Sequence, residues 1–172
     1  MTEQQNPSAI QASVRPGERQ LDQPRAALDA GLVFIGHLET PWTSRGEAPK
    51  NPIQSDAICT ANVLEPYRPA LAALATCSHV ILLYWLDQAR RDMLVQAPRH
   101  APEPVGTFAL RSPNRFNPIG LAVCDLLNVD GENGRLSVRH LDALNGTPLL
   151  DIKPYFASID ARPKATVGWA NR

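Results

Sequence analysis

Sixteen of the 172 residues are proline, about twice the usual share. Proline carries no amide hydrogen and its ring fixes φ, so it interrupts helices and stays out of the middle of a sheet. A chain punctuated in this way is expected to build many short elements joined by stiff turns rather than a long helical bundle. The length suffices for one domain with a genuine core. Apolar residues at 44% and charged residues at 20% are ordinary for a globular protein.

Residues 1–29 are rich in Gln, Pro, Arg and Asp without sustained periodicity, and predict a disordered or loosely ordered tail. The folded domain is expected over residues 30–160, with a second tail over 161–172. Leu32-Val33-Phe34-Ile35-Gly36 suits a strand. From Thr40 to Pro52, Thr43, Ser44, Arg45 and Gly46 among three prolines mark a loop, and irregular loops of this length are commonly functional. Ala57 to Val63 predicts a strand. Pro66 to Leu74 predicts a short helix, with Leu71 and Leu74 on one face and prolines in its opening turn. His79 to Leu86 is nearly continuously apolar and suits a strand buried on both faces.

Val105 to Leu110 is a further strand candidate. Ile119–Val129 and Leu136–Leu141 flank Asp130-Gly131-Glu132-Asn133-Gly134, the turn composition of a β-hairpin. Along its first arm Leu121, Val123, Leu127 and Val129 share one parity, interrupted by Asp125. Leu149-Leu150 follows the tight turn Asn145-Gly146-Thr147-Pro148. Six or seven short strands predict a mainly β fold, a small closed β-barrel with one or two short helices.

Several chemistries have no sequence support. There is no Gly-x-Gly-x-x-Gly between a strand and a helix, no Walker loop and no Gly-x-Ser-x-Gly elbow. His37, His79, His100 and His140 lack paired ligand spacing, so no metal site is expected. Cys59, Cys77 and Cys124 sit in apolar runs without a Cys-x-x-Cys pair, as reduced core thiols do, which implies a cytoplasmic setting. Thr2-Glu3-Gln4-Gln5-Asn6 is no signal peptide, and no run approaches the roughly 18 apolar residues of a membrane span. Basic and acidic residues balance at 17 each, so any nucleic-acid partner must be met by a local patch.

Three segments carry chemical information. In Arg111-Ser112-Pro113-Asn114-Arg115-Phe116-Asn117-Pro118, two arginines ride a proline-stiffened loop suited to gripping carboxylate or phosphate; a solvated polar loop has the same composition. In Asn145-Gly146-Thr147-Pro148-Leu149-Leu150-Asp151-Ile152-Lys153-Pro154-Tyr155, the Gly-Thr turn lets backbone amides approach a small molecule, though Asn-Gly is equally a plain hairpin signal. Asp151 and Lys153 share one strand face and can simply pair. Pro49-Lys50-Asn51, Cys77-Ser78-His79 and Asp87-Gln88 are weak alone, and a histidine opening an apolar strand is more often structural than catalytic.

Taken in order, these segments are specific. Pro-Lys-Asn, Ser-His before an apolar strand, Gly-Thr-Phe-Ala-Leu-Arg-Ser-Pro-x-Arg-x-Asn-Pro-Ile-Gly and Asn-Gly-Thr-Pro-Leu-Leu-Asp-Ile-Lys-Pro-Tyr closely resemble the TsaA-like (TrmO) family from Leu32 to Tyr155. The resemblance implies a β-barrel that binds S-adenosyl-L-methionine at a homodimer interface. It also implies N6-methylation of threonylcarbamoyladenosine beside the tRNA anticodon. Carried over by position, the cofactor set is Pro49, Lys50, Asn51, Asp87, Gln88, Arg111, Leu121, Asn145, Gly146, Thr147 and Pro148. Arg115, Phe116, Asn117, Lys153 and Tyr155 are assigned to the substrate. Asp87 or Asp151 is the candidate proton acceptor.

Two positions depart from the family pattern. Its usual Arg-Pro-Asn reads Arg115-Phe116-Asn117, which places a bulky aromatic on the substrate rim. Its usual Asp-Gly-Thr-Pro reads Asn145-Gly146-Thr147-Pro148, which removes a carboxylate but keeps an acceptor oxygen. A same-fold methyltransferase for another substrate and a non-catalytic S-adenosylmethionine-binding protein are the alternatives.

Overall fold

The computed structural model describes residues 14–21, 30–99 and 101–170. Its strands are β1 (Arg19–Gln20), β2 (Gly36–Glu39), β3 (Cys59–Val63), β4 (His79–Trp85), β5 (Met93–Gln96), β6 (Val105–Gly106), β7 (Ile119–Asp130), β8 (Arg135–Arg139) and β9 (Pro148–Pro154). The chain divides into two compact units. Among the described residues one holds 30–87 and 119–164, the other 14–21, 88–118 and 165–170. Within the stretch expected as one domain, residues 88–118 form a sheet of their own with β1.

In the first unit six strands close a barrel in the order β2-β3-β8-β7-β4-β9, the expected fold. Val80, Leu82 and Tyr84 of β4 point inward, as do Leu38, Ala61, Leu136, Val138 and Leu149, all buried. Facing β4 across the ladder are Cys124, Ala122 and Gly120 of β7. Large side chains thus meet small ones, which is how a narrow barrel fills its interior. The consequence for β7 is that its apolar stripe faces outward. Ile119, Leu121 and Val123 are 41, 43 and 41% exposed. A register shift near Leu127 then returns Val129 to the core. Since β4 alternates buried with half-buried residues, it is covered on one face only within this chain, not on both as its composition suggested.

Two other expectations are corrected. The helix anticipated from Pro66 to Leu74 is a pair of 3-10 segments, Glu65–Leu71 and Leu74–Thr76. Pro69 lies inside the first and cannot donate an amide, and Ala73, at φ 65°, breaks the path between them. The first barrel strand starts at Gly36, leaving Leu32, Val33 and Phe34 exposed. Among the described residues, 157–160 form the single α-helical turn, α1 (Ala157–Asp160).

The second unit is a three-stranded sheet in the order β1-β5-β6. Part of the expected N-terminal tail is therefore structured: Arg19 and Gln20 pair with β5, and Glu18 accepts from the Ala97 amide and the Arg15 guanidinium. Residues 1–13 and 22–29 of that tail lie outside the described residues. From the expected C-terminal tail, the Trp169 indole donates to the Ala109 carbonyl at 3.2 Å. Val105–Leu110 is strand only at Val105–Gly106, then turns as a 3-10 segment. Its buried Thr107 hydroxyl donates to the Met93 carbonyl (2.7 Å) and accepts from Gln96 Nε2 (3.0 Å).

Candidate cofactor and substrate site

Gly146 shapes the turn that leads into β9. Its φ of +81° lies in the left-handed region, and the space a β-carbon would take is open. The turn is fastened to the segment 38–42. The amides of Asn145 and Gly146 donate to the carbonyls of Trp42 (2.7 Å) and Leu38 (2.8 Å), and the Leu38 amide donates to the Thr147 carbonyl (2.9 Å). Asn145 Oδ1 accepts from the Thr40 amide at 3.2 Å, while Thr147 sends both amide and hydroxyl to the Leu144 carbonyl.

These bonds correct one expectation: the amides of residues 145–147 are directed into the protein and are not donors for a small molecule. The backbone spends them because its buried groups must pair. What the turn presents outward is the bare backbone at Gly146 and the Asn145 carboxamide. Nearby in sequence, the loop 40–52 is folded around Glu47. Thr43 donates its amide and hydroxyl to that carboxylate and Ser44 its amide, which holds the carboxyl below its ordinary range. Asn51 caps the short turn Pro52–Gln54 through Oδ1 to the Ile53 amide. Lys50 and Asn51 are exposed, Pro49 half-buried.

Three predicted residues share the outward face of β7, β4 and β9. Leu83 stands opposite both Leu121 and Asp151, and Ile81 opposite both Val123 and Lys153. Lys153 Nζ reaches Asp151 Oδ2 at 2.6 Å, and Asp151 Oδ1 accepts the Ile152 amide, so the anticipated ion pair forms. Asp87 is exposed just beyond β4, its amide on the Trp85 carbonyl.

At the other end of β4, Tyr155 packs its ring 6.2 Å from His79. His79 belongs to a network that its sequence position did not reveal. Ser78 Oγ lies 2.8 Å from His79 Nδ1, and His79 Nε2 lies 3.3 Å from Asp125 Oδ1, which His140 Nδ1 also approaches at 3.5 Å. Only strand register joins residue 79 to 125 and 140, so no local motif announces it. Among the described residues no cluster of three or more His, Cys, Asp or Glu could hold a metal. No helix among them is long and apolar enough to cross a membrane.

The second unit holds Gln88, Arg111, Arg115, Phe116 and Asn117. Gln88, Arg111 and Asn117 are exposed. Arg115, half-buried, donates to the carbonyls of Thr107 (3.4 Å) and Leu110 (3.2 Å) and so ties its own loop together. Arg91 Nε donates to the Phe116 carbonyl at 3.3 Å. The Phe116 ring meets Phe108 edge-on at 5.9 Å, and Phe108 is 82% exposed. Phe108 received no role from the sequence. Its signal was a large aromatic within a loop of prolines and arginines.

Comparison with known proteins shows the family of the chain. The family model for the tRNA-methyltransferase O N-terminal domain matches residues 37–161. The chain is 42% identical over 138 residues to a probable S-adenosyl-L-methionine-binding protein of Archaeoglobus fulgidus, covering 80% of this chain and 37% of that protein. It is 32% identical over 156 residues to a tRNA (adenine(37)-N6)-methyltransferase of Mus musculus, covering 82% of this chain and 35% of that one. The crystal structure of TrmO from Pseudomonas aeruginosa is similar at TM-score 0.69 and 32% identity, over 84% of this chain and 64% of the other. The chain thus spans little more than a third of the length of these two sequence relatives.

Proposed function

The chain belongs to the TrmO family, and on that premise we propose that it is an S-adenosylmethionine-dependent methyltransferase that modifies N6 of threonylcarbamoyladenosine beside the tRNA anticodon. The observation that carries the reading is the Asn145–Pro148 turn. Its shape is fixed from within the barrel while the backbone at Gly146 stays bare, a surface against which a flat ring can lie. The rest of the donor set fits the cofactor by chemical type. An arginine, Arg111, suits a carboxylate bidentately. Asp87 suits ribose hydroxyls, Leu121 and Pro148 an apolar edge, and the Asn145 carboxamide an adenine nitrogen.

When bound, the cofactor supplies a methyl group on a sulfonium, already an electrophile, so the protein mainly positions and balances charge. Asp87 takes the proton that the exocyclic nitrogen sheds. Asp151 is the weaker choice of base, because the Lys153 ammonium already occupies it. Lys153, Tyr155 and the Phe116 loop hold the RNA. Free buried thiols at Cys59 and Cys124 fit a reducing, cytoplasmic compartment.

A second copy of the chain covers the outward face of β4 and β7. Ile119, Leu121 and Val123 with Ile81, Leu83 and Trp85 form an apolar surface on which a homodimer closes, next to the cofactor residue Leu121. Light scattering should report twice 18.8 kDa, and Val123→Asp should halve it. A wild-type monomer with and without cofactor excludes the dimer.

Incubation with labelled cofactor and tRNA, with or without the threonylcarbamoyl group, tests the activity. Labelling only the carbamoylated tRNA is expected. Equal labelling of both, or none where cofactor binding is verified, transfers the proposal to another substrate, the reading that the Phe116 departure favours.

A further inference from the structure

Neutrality overall conceals a division of charge between the two units. The described residues of the second unit carry seven arginines and no lysine, against Glu18, Asp92 and Glu103. Two of those acids are engaged by arginine. Arg90 grips Asp92 with two bonds of 3.0 and 2.8 Å, and Arg15 holds Glu18 at 3.0 Å. The described barrel unit runs the other way, with eight basic residues against eleven acids. On the arginine-rich unit stands Phe108, 82% exposed, with Phe116 braced edge-on against it.

A ring of that size left in water forgoes the stabilisation that burying it would return. The structure around it is nevertheless built to hold it out. The Trp169 indole ties down the Ala109 carbonyl, Arg115 ties the carbonyls of Thr107 and Leu110, and the Thr107 hydroxyl is locked to β5. Residues on both sides of Phe108 are thereby fixed. Fixed aromatics among guanidinium groups suit unpaired nucleobases and their phosphates, since bases stack on the ring while arginine matches phosphate oxygens.

Building on the tRNA reading above, we infer that the unit of residues 88–118 is the RNA-docking module and that Phe108 is its base-stacking platform, with Phe116 as its brace. The ligand is the unpaired loop of a stem-loop RNA, not its duplex stem. Specific RNA recognition targets such loops because their bases can be splayed onto aromatic side chains.

The test measures binding of an anticodon stem-loop RNA and of a duplex of the same length by fluorescence anisotropy, with the cofactor-induced melting shift and light scattering as controls. Phe108→Ala should weaken stem-loop binding about tenfold or more, leaving cofactor shift and oligomeric state unchanged. Phe108→Trp should retain binding, and Phe108→Leu should behave as the alanine variant. Wild-type affinity in Phe108→Ala, or equal wild-type affinity for the duplex, overturns the platform while the tRNA reading stands. Loss of the dimer in Phe108→Ala assigns the ring to a protein interface instead, and also overturns it. A wild-type protein that shifts with cofactor yet binds no stem-loop removes both.

Discussion

Tyr84 and Gly120 face each other across one rung of the β4–β7 ladder, and the tyrosine ring fills the space any β-carbon at 120 would need. The ring cannot swing away freely, because it is buried and its hydroxyl donates to Asp142 at 2.9 Å. Gly120→Ala should therefore lose about 1–3 kcal/mol in a urea unfolding titration, an overpacking cost. Thiol reactivity gives a second check at this scale. Burial pushes the Cys59 thiol up to about 11, and burial together with Cys59, Asp142 and Asp125 pushes Cys124 up to about 12. Both stay protonated near pH 8, so alkylation of the native protein should modify Cys77, which is half-buried, well before the other two. Equal labelling of all three would show that the barrel interior opens. The cysteines could be read from their apolar neighbours, whereas the role of Gly120 could not, because it depends on a tyrosine 36 positions earlier.

At the scale of elements, the hairpin of β7 and β8 and the strand β4 were legible because each is a run of one periodicity bounded by turn residues. The face that β7 presents was not. Leu121 and Val123 look like core on composition, and only the pairing of Gly120 with Tyr84 and of Ala122 with Leu82 turns them outward. The turn before β9 was legible in position, and its dihedral at Gly146 followed from residue type. The direction of its amides was not, since their acceptors Trp42 and Leu38 are distant in sequence. That wiring makes a prediction. Asn145→Ala removes the acceptor for the Thr40 amide and should cost about 1 kcal/mol of stability and weaken cofactor binding. Asn145→Asp restores both an acceptor and the usual family residue, so its melting temperature should match wild type. An alanine variant as stable as wild type would mean that the Thr40 bond contributes nothing to the turn.

For the whole molecule, closure into a barrel was legible from strand count, but the split into two units was not. Residues 88–118 contain strands of only four and two residues, and β1 comes from a segment that reads as tail. The two units carry opposite balances of charge, which is why net charge was uninformative and charge by unit is not. Cofactor binding should appear globally. S-adenosylmethionine at 100 times its dissociation constant should stabilise the native state by about 2.7 kcal/mol. A thermal-shift titration reads this directly, and Arg111→Ala should lose most of it. No shift for the wild type would exclude the cofactor.

Strands β4 and β7 are antiparallel neighbours, the arrangement that a two-residue hairpin ordinarily joins, yet the chain between them runs from 86 to 118. Closing a connection of that size instead of one of about four residues costs only about 2 kcal/mol, because the entropy of closure grows with the logarithm of length. The barrel's own ladders do not depend on what the connection contains. Such an architecture can inherit a different connection, with different aromatic and basic residues, and keep its barrel, provided that the positions of Asp87, Gln88 and Arg111 are retained for the proposed cofactor. Divergence of substrate among proteins with this barrel should therefore concentrate between the equivalents of Trp85 and Ile119, and a chimera exchanging that stretch should carry the recognition of the donor parent on the barrel of the other.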